Sequence, residues 1–237
     1  TVKITCKKDL NTEKEIRVFA YPKGTKQPLT ERKLAGKIII LQNDNTARKE
    51  EKFALVPIRT NITGKPKPDD GGFSPKEKQN FYNTFHQALT IPILEISPNI
   101  LDLSSNADFK TGGKYVDINN KINEDSSGFF EEVQRLFFED KDAKGVLKNA
   151  KYTTGYFTVF SLGADVYYDA KGQIASVTTI VAGVQKTTFL KNLILFPKKD
   201  FYTMNHEGLH GFNLRHTHRD SNPIDEPNYK YIFPCAT

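Results

Sequence analysis

Four of the chain's five histidines fall within 13 of its 237 residues: His206, His210, His216 and His218. The segment reads Asn205–His206–Glu207–Gly208–Leu209–His210–Gly211–Phe212–Asn213–Leu214–Arg215–His216–Thr217–His218. His206 and His210 are four apart, so on a helix both imidazoles project from one face and can share a metal ion. Glu207 is turned about 100° from His206, one helix step, which sets a carboxylate beside the open side of that ion. With 5 His and 13 Glu in the chain, chance gives about 0.006 occurrences of such a His-Glu-x-x-His pattern, so the pattern is read as a site. A buried helix with two hydrogen-bonded histidines is the plain alternative. It accounts for neither Glu207 nor His216.

The rest of the segment restricts the fold further. Asp200 is placed to cap the helix. Phe201, Met204, Gly208 and Phe212 cluster on one side of the helical wheel, with Leu209 at the margin and the histidine pair nearly opposite. One face must therefore seal against a core while the other opens on a cleft.

The segment resembles the metzincin signature HExxHxxGxxH of zinc-dependent endopeptidases. His206, Glu207, His210 and His216 fall on its four catalytic positions. Asn213 stands where that signature has Gly, at the turn that swings the third histidine back to the metal; the turn needs a left-handed residue, and Asn is the best choice after Gly. The family also carries a Met-containing turn downstream of the third histidine. Here the only Met is Met204, upstream of it, so the polypeptide is expected to continue past Thr237 into a segment containing that Met. The N-terminal strands followed by Phe53–Ile58, and the helix and strand from Gln87 to Leu103, are similar to metallopeptidase modules of bacterial secretion-delivered toxins.

These likenesses imply a zinc hydrolase. His206, His210 and His216 would hold Zn2+ with one position open, the arrangement of a catalytic rather than a structural site. Glu207 would act as general base on the attacking water and later protonate the leaving amine. Tyr229 and Tyr231 are candidate oxyanion donors, although both also read as packing aromatics. Should His216 not reach the metal, Asp220 or Glu226 could supply a carboxylate in its place; His218 is expected to point elsewhere. The implied partner is a protein or peptide substrate, and the implied location is secreted or delivered outside the producing cell. The alternative reading is an inert, metal-stabilised binding module or pseudo-peptidase that engages a protein partner.

Charge and cysteine content narrow the field. Lys and Arg number 34 against 28 Asp and Glu, a formal charge of +6, but the basic residues are dispersed rather than arrayed in a stripe with stacking aromatics. No nucleic-acid partner is expected. No apolar run approaches the roughly 18 residues of a membrane span. Cys6 and Cys235 lie at opposite ends of the chain. They are too few for a disulfide scaffold, and the sequence leaves open whether they bridge.

Residues 1–52 read as a small β-sandwich-like accessory region, with strands at Val2–Cys6, Ile16–Ala20 and Gly36–Leu41 that lean on the larger domain C-terminal to them. Residues 53–237 read as the metzincin-like peptidase domain. It starts with a strand at Phe53–Ile58 and an exposed loop from Thr63 to Gly72. Ser74 and Pro75 then open a helix striped by Phe81, Phe85 and Ala88, which Pro92 ends before a strand at Ile93–Ile96. A second helix is expected from Ser127 to Phe138, with Phe129, Val133, Leu136 and Phe137 on one face. Strands at Tyr156–Leu162, around Ile174–Ala182 and at Asn192–Phe196 lead into the histidine helix. The fold class is α+β: a small N-terminal β region, then a mixed twisted sheet with helices like the metzincin upper subdomain. An extended substrate is expected along the sheet edge near Ile174–Ala182.

Overall fold

The strand read at Phe53–Ile58 is an interior strand of the main sheet and pairs with four others. The computed structural model describes residues 8–21, 23, 32–122, 128–163, 170–181 and 184–212. In it that strand is β3, Lys49–Thr60, after an N-terminal pair of strands, β1 (Lys14–Ala20) and β2 (Lys33–Ile40). Among the described residues the fold is α+β, with one two-stranded and one seven-stranded mixed sheet and three α-helices.

β1 and β2 pair antiparallel, Ile16 opposite Ile38, with an irregularity after Val18. None of the described residues from 8 to 48 is buried. Polar contacts tie the segment before β1 to the segment that enters β3: Arg48 forks onto the Asp9 carboxylate at 2.8 and 3.2 Å, and the Leu10 amide donates to the Asn43 side chain at 2.7 Å. The Val2–Cys6 strand and both cysteines lie outside the described residues.

In the large sheet, β5 (Thr90–Ile96), β3, β7 (Tyr156–Ser161) and β9 (Val184–Leu195) run parallel in that spatial order. β8 (Gly172–Val181) lies antiparallel beyond β9 and is the last strand on that side among the described strands. Two short strands, β4 (Asp69–Asp70) and β6 (Leu101–Asp102), flank the end of β3. From β3 the order of larger elements is strand, helix, strand, helix, three strands, helix, as the sequence pattern predicts.

Period-2 alternation divides the core into two layers. Phe53 and Leu55 of β3, Phe157 and Val159 of β7, and Leu193 and Leu195 of β9 face one side. There they meet α1 (Pro75–Gln87) through Phe81 and Phe85, and α3 (Thr203–His210) through Met204. Ala54, Val56, Ile58, Phe160 and Ile194 face the other side, under α2 (Phe129–Phe138) and the connecting segments that carry Phe109, Tyr115, Val116 and Tyr152, the first and last of these in short 3-10 turns. On α2, Phe129, Phe130, Val133 and Phe137 are buried, with Leu136 half-buried beside them.

Several sequence expectations need correction. α1 starts as read, with a complete capping box: Ser74 Oγ accepts from the Glu77 amide and Glu77 Oε2 from the Ser74 amide. It stops at Gln87, however, where Leu89 adopts φ 57°, and Ala88 is an exposed cap residue rather than part of the buried stripe. Pro92 does not end the helix. It lies inside β5 opposite Glu51, on a strand that pairs only with β3 among the described strands, where a missing N–H costs no ladder bond. The tail of the Thr63–Gly72 loop is not simply exposed, because Asp69 and Asp70 pair with β3 and Gly71 presses on the Ser161 carbonyl. α2 starts at Phe129 after Gly128, and Ser127 lies outside the described residues. Among the described residues, no helix is long and apolar enough to cross a membrane.

Candidate metal centre

An isolated helix of eight residues is marginal in water, so neighbours must hold α3. Asp200 organises its entry. Its Oδ1 accepts from the Tyr202 and Thr203 amides at 2.9 and 3.0 Å, and its Oδ2 pairs with Lys171 at 2.8 Å. The Lys171 hydrogen bond, the Tyr202 amide and the Thr203 hydroxyl hold the Asp200 carboxyl down to about 2. Farther along, Asn205 donates to Thr84 Oγ1 of α1 at 2.9 Å.

Close packing seats the helix. A Cβ on Gly208 would stand 2.9 Å from Phe81 and 3.1 Å from Phe85, and one on Gly211 would stand 2.1 Å from Phe157. Both glycines let the helix lie directly on aromatic rings. Phe212 packs over Phe85 and Phe157 at 5.3 and 6.3 Å between centroids, and Met204 is fully buried. Phe201 departs from the expected core face. It contacts Tyr202 and lies under the Lys76 ammonium, 4.0 Å from the ring centre, because it precedes the helix and does not share its wheel.

The opposite face carries the candidate site residues. His206 Nε2 and His210 Nε2 are 3.2 Å apart, their rings crossed at 85°. Two nitrogens held at about 2.0–2.1 Å by a tetrahedral zinc stand about 3.3–3.4 Å from each other. The pair therefore fits a shared ion, and imidazole donors suit zinc. His206 is exposed and His210 is buried. Glu207 is half-buried beside them, and burial pushes its carboxyl up to about 7. A carboxyl in that range can both take and return a proton near neutrality. His206 and Glu207 border an open recess of about 390 Å3 that Lys171, Gly172, Asp200, Tyr202 and Thr203 complete.

Among the described residues no group of three His, Cys, Asp or Glu side chains surrounds one point. The expected third ligand His216, the turn residue Asn213, and Asp220, Glu226, His218, Tyr229 and Tyr231 lie outside the described residues, so two of the three expected ligands and the expected base are the part brought together. Sequence reading missed the recess wall formed by Lys171, Gly172 and Thr203. Gly172 carries no distinguishing signal in the sequence, and its approach to α3 arises from the pairing of β8 with β9, which no local pattern reveals.

Comparison with models of protein families, with curated proteins and with solved structures finds no match to this chain.

Proposed function

We propose that the chain is a zinc-dependent endopeptidase of metzincin-like build. The observation that carries this reading is the 3.2 Å approach of His206 Nε2 and His210 Nε2 beside the half-buried Glu207. The order of strand, helix, strand, helix, three strands and helix supports the likeness to the metzincin upper subdomain. His206, His210 and His216 would hold the metal. When bound, zinc supplies Lewis-acid polarisation of the scissile carbonyl and a more acidic water.

The chain's own residues do the rest. Glu207 takes a proton from the attacking water and passes it to the departing amine, at a carboxyl whose burial suits both transfers. β8 pairs with β9 alone among the described strands, so its outer edge can receive a substrate as an added strand, through backbone hydrogen bonds that favour extended peptides of varied sequence. The likeness to secretion-delivered toxin modules extends the reading to action outside the producing cell.

Elemental analysis of the purified protein, together with cleavage of unfolded casein, tests the reading. One zinc per chain is expected, with hydrolysis abolished by a chelator. Glu207→Gln should keep the metal and lose roughly 10²–10⁴ in rate. Wild-type turnover by that variant would refute the mechanism. Stoichiometric zinc with no hydrolysis of any peptide would favour the metal-stabilised binding module instead.

A further inference from the structure

We propose that Gly172, the first residue of β8, is a positioning residue for Glu207: its bare Cα fills the notch between Thr203 and Glu207 on α3 and sets where the Glu207 carboxylate lies. The inference rests on the peptidase reading for its catalytic meaning and on packing alone for its geometry. A Cβ at Gly172 would stand 2.8 Å from Glu207 Cγ, 2.9 Å from Thr203 Cγ2 and 3.4 Å from Glu207 Cδ. Carbon atoms in good contact stand about 3.5–4.0 Å apart, so something must move. Backbone conformation does not demand glycine here, since Gly172 is not among the residues with positive φ.

Neither wall of the notch can retreat cheaply. On the strand side, Gly172 is in register with Leu195 of β9, and the Phe196 amide donates to the Lys171 carbonyl at 2.9 Å. Lys171 is also tied to Asp200, whose carboxylate holds the first amides of α3. On the helix side, Gly208 already lies on Phe81 and Phe85, so α3 cannot back away. Thr203 is buried, and its hydroxyl is held by the Asp200 amide at 3.1 Å and by the Asp200 carboxylate at 3.2 Å. The one mobile group in contact is the Glu207 side chain. A methyl at residue 172 would therefore rotate Glu207 and swing its carboxylate away from His206 and the recess.

The test is Gly172→Ala in the full chain, read by zinc content, crystal structure and kinetics. The expected result is unchanged zinc stoichiometry, a Glu207 carboxylate displaced by about 1 Å, and kcat lowered by about 10²-fold with KM little changed, the scale of a misplaced catalytic group. Adding Thr203→Ser removes Cγ2, keeps the hydroxyl for Asp200 and should recover part of both the position and the rate. A Glu207 that stays in place with kcat unchanged overturns the proposal. So does loss of zinc, or failure of both variants to fold, since Gly172 would then support the whole helix. If the wild-type protein hydrolyses no peptide, the peptidase reading falls by itself, and the displacement of Glu207 in the crystal still decides the role of Gly172.

Discussion

Lys199 leads directly into the turn that starts the histidine helix, and replacing it with Met tests what fixes that turn. Its ammonium donates to the Gly72 carbonyl at 2.5 Å and to Ser161 Oγ at 3.0 Å, and stands 3.0 Å from Glu77 Oε1. The Lys199 and Glu77 side chains are only 14% and 8% exposed. Burial pushes the Lys199 ammonium down from its usual value despite Glu77. Burial also pushes the Glu77 carboxyl up, but the Ser74 amide and hydroxyl together with Lys199 outweigh it and leave it below the ordinary range. Removing one partner of a buried pair costs roughly 3–5 kcal/mol. Glu77 keeps the Ser74 amide at 2.7 Å, so Lys199→Met should fall at the low end, about 3 kcal/mol. The variant Lys199→Met/Glu77→Gln strands no charge, and the cycle should show a coupling of about 1–3 kcal/mol. Urea unfolding followed by circular dichroism measures all four proteins. The sign with pH is set by Glu77, whose folded pKa lies below its unfolded value: its contribution is present above about 4.5 and is lost as pH falls through the lower folded value. A Lys199→Met variant within about 0.5 kcal/mol of wild type, or a strictly additive cycle, would refute this account.

Gly208→Ala sets about 1 kcal/mol of helix propensity against about 1–3 kcal/mol of overpacking on two buried rings. The expected outcome in a thermal melt is a lower Tm, and a raised Tm would show that Phe81 and Phe85 have room to spare. His210→Ala should reduce zinc affinity, measured by chelator competition, by more than the roughly 10–100-fold that loss of an outer-shell partner costs. Unchanged affinity would remove His210 from the ligand set. For Asp200, whose folded pKa is about 2 against an ordinary 3.8, the stabilising contribution is present above about 4 and is lost as pH falls towards 2. Melts between those limits should therefore show a shallower pH dependence in Asp200→Asn than in wild type.

The large-scale order of the fold was legible because the relevant segments carry strong local signals. Phe53–Ile58 is a continuous apolar run of the kind a strand buried on both faces carries, and it lies inside the sheet between β5 and β7. Ser74–Pro75 with Glu77 spells out a capping box. What escaped were features set by tertiary pairing. Asp69–Asp70 carries no apolar pattern and is a strand only because Arg59 and Thr60 offer a ladder, which the Arg59–Asp70 ion pair at 2.6 Å reinforces. Pro92 is a breaker by local rules, but an edge position absorbs its missing donor. Phe109 and Tyr152 are buried in single 3-10 turns and Tyr115 in a loop, with no periodicity to mark them.

The candidate centre divides along the same line. The candidate ligands were readable because a helical chelate would need a four-residue spacing, and spacing is a property of sequence. Their placement is not. α3 is too short to hold itself, so the convergence of two Nε2 atoms at 3.2 Å depends on residues that carry no chemistry: Asp200 and Lys171 at its entry, Asn205 against Thr84, and Gly208 and Gly211 against aromatic rings. Each comes from, or touches, a segment distant in the chain. Detached from those partners, residues 200–212 would retain the spacing and lose the geometry. The two glycines inside and just after the motif carry the most weight in this respect, because at each of them the position of the helix is fixed by the absence of a side chain rather than by a bond.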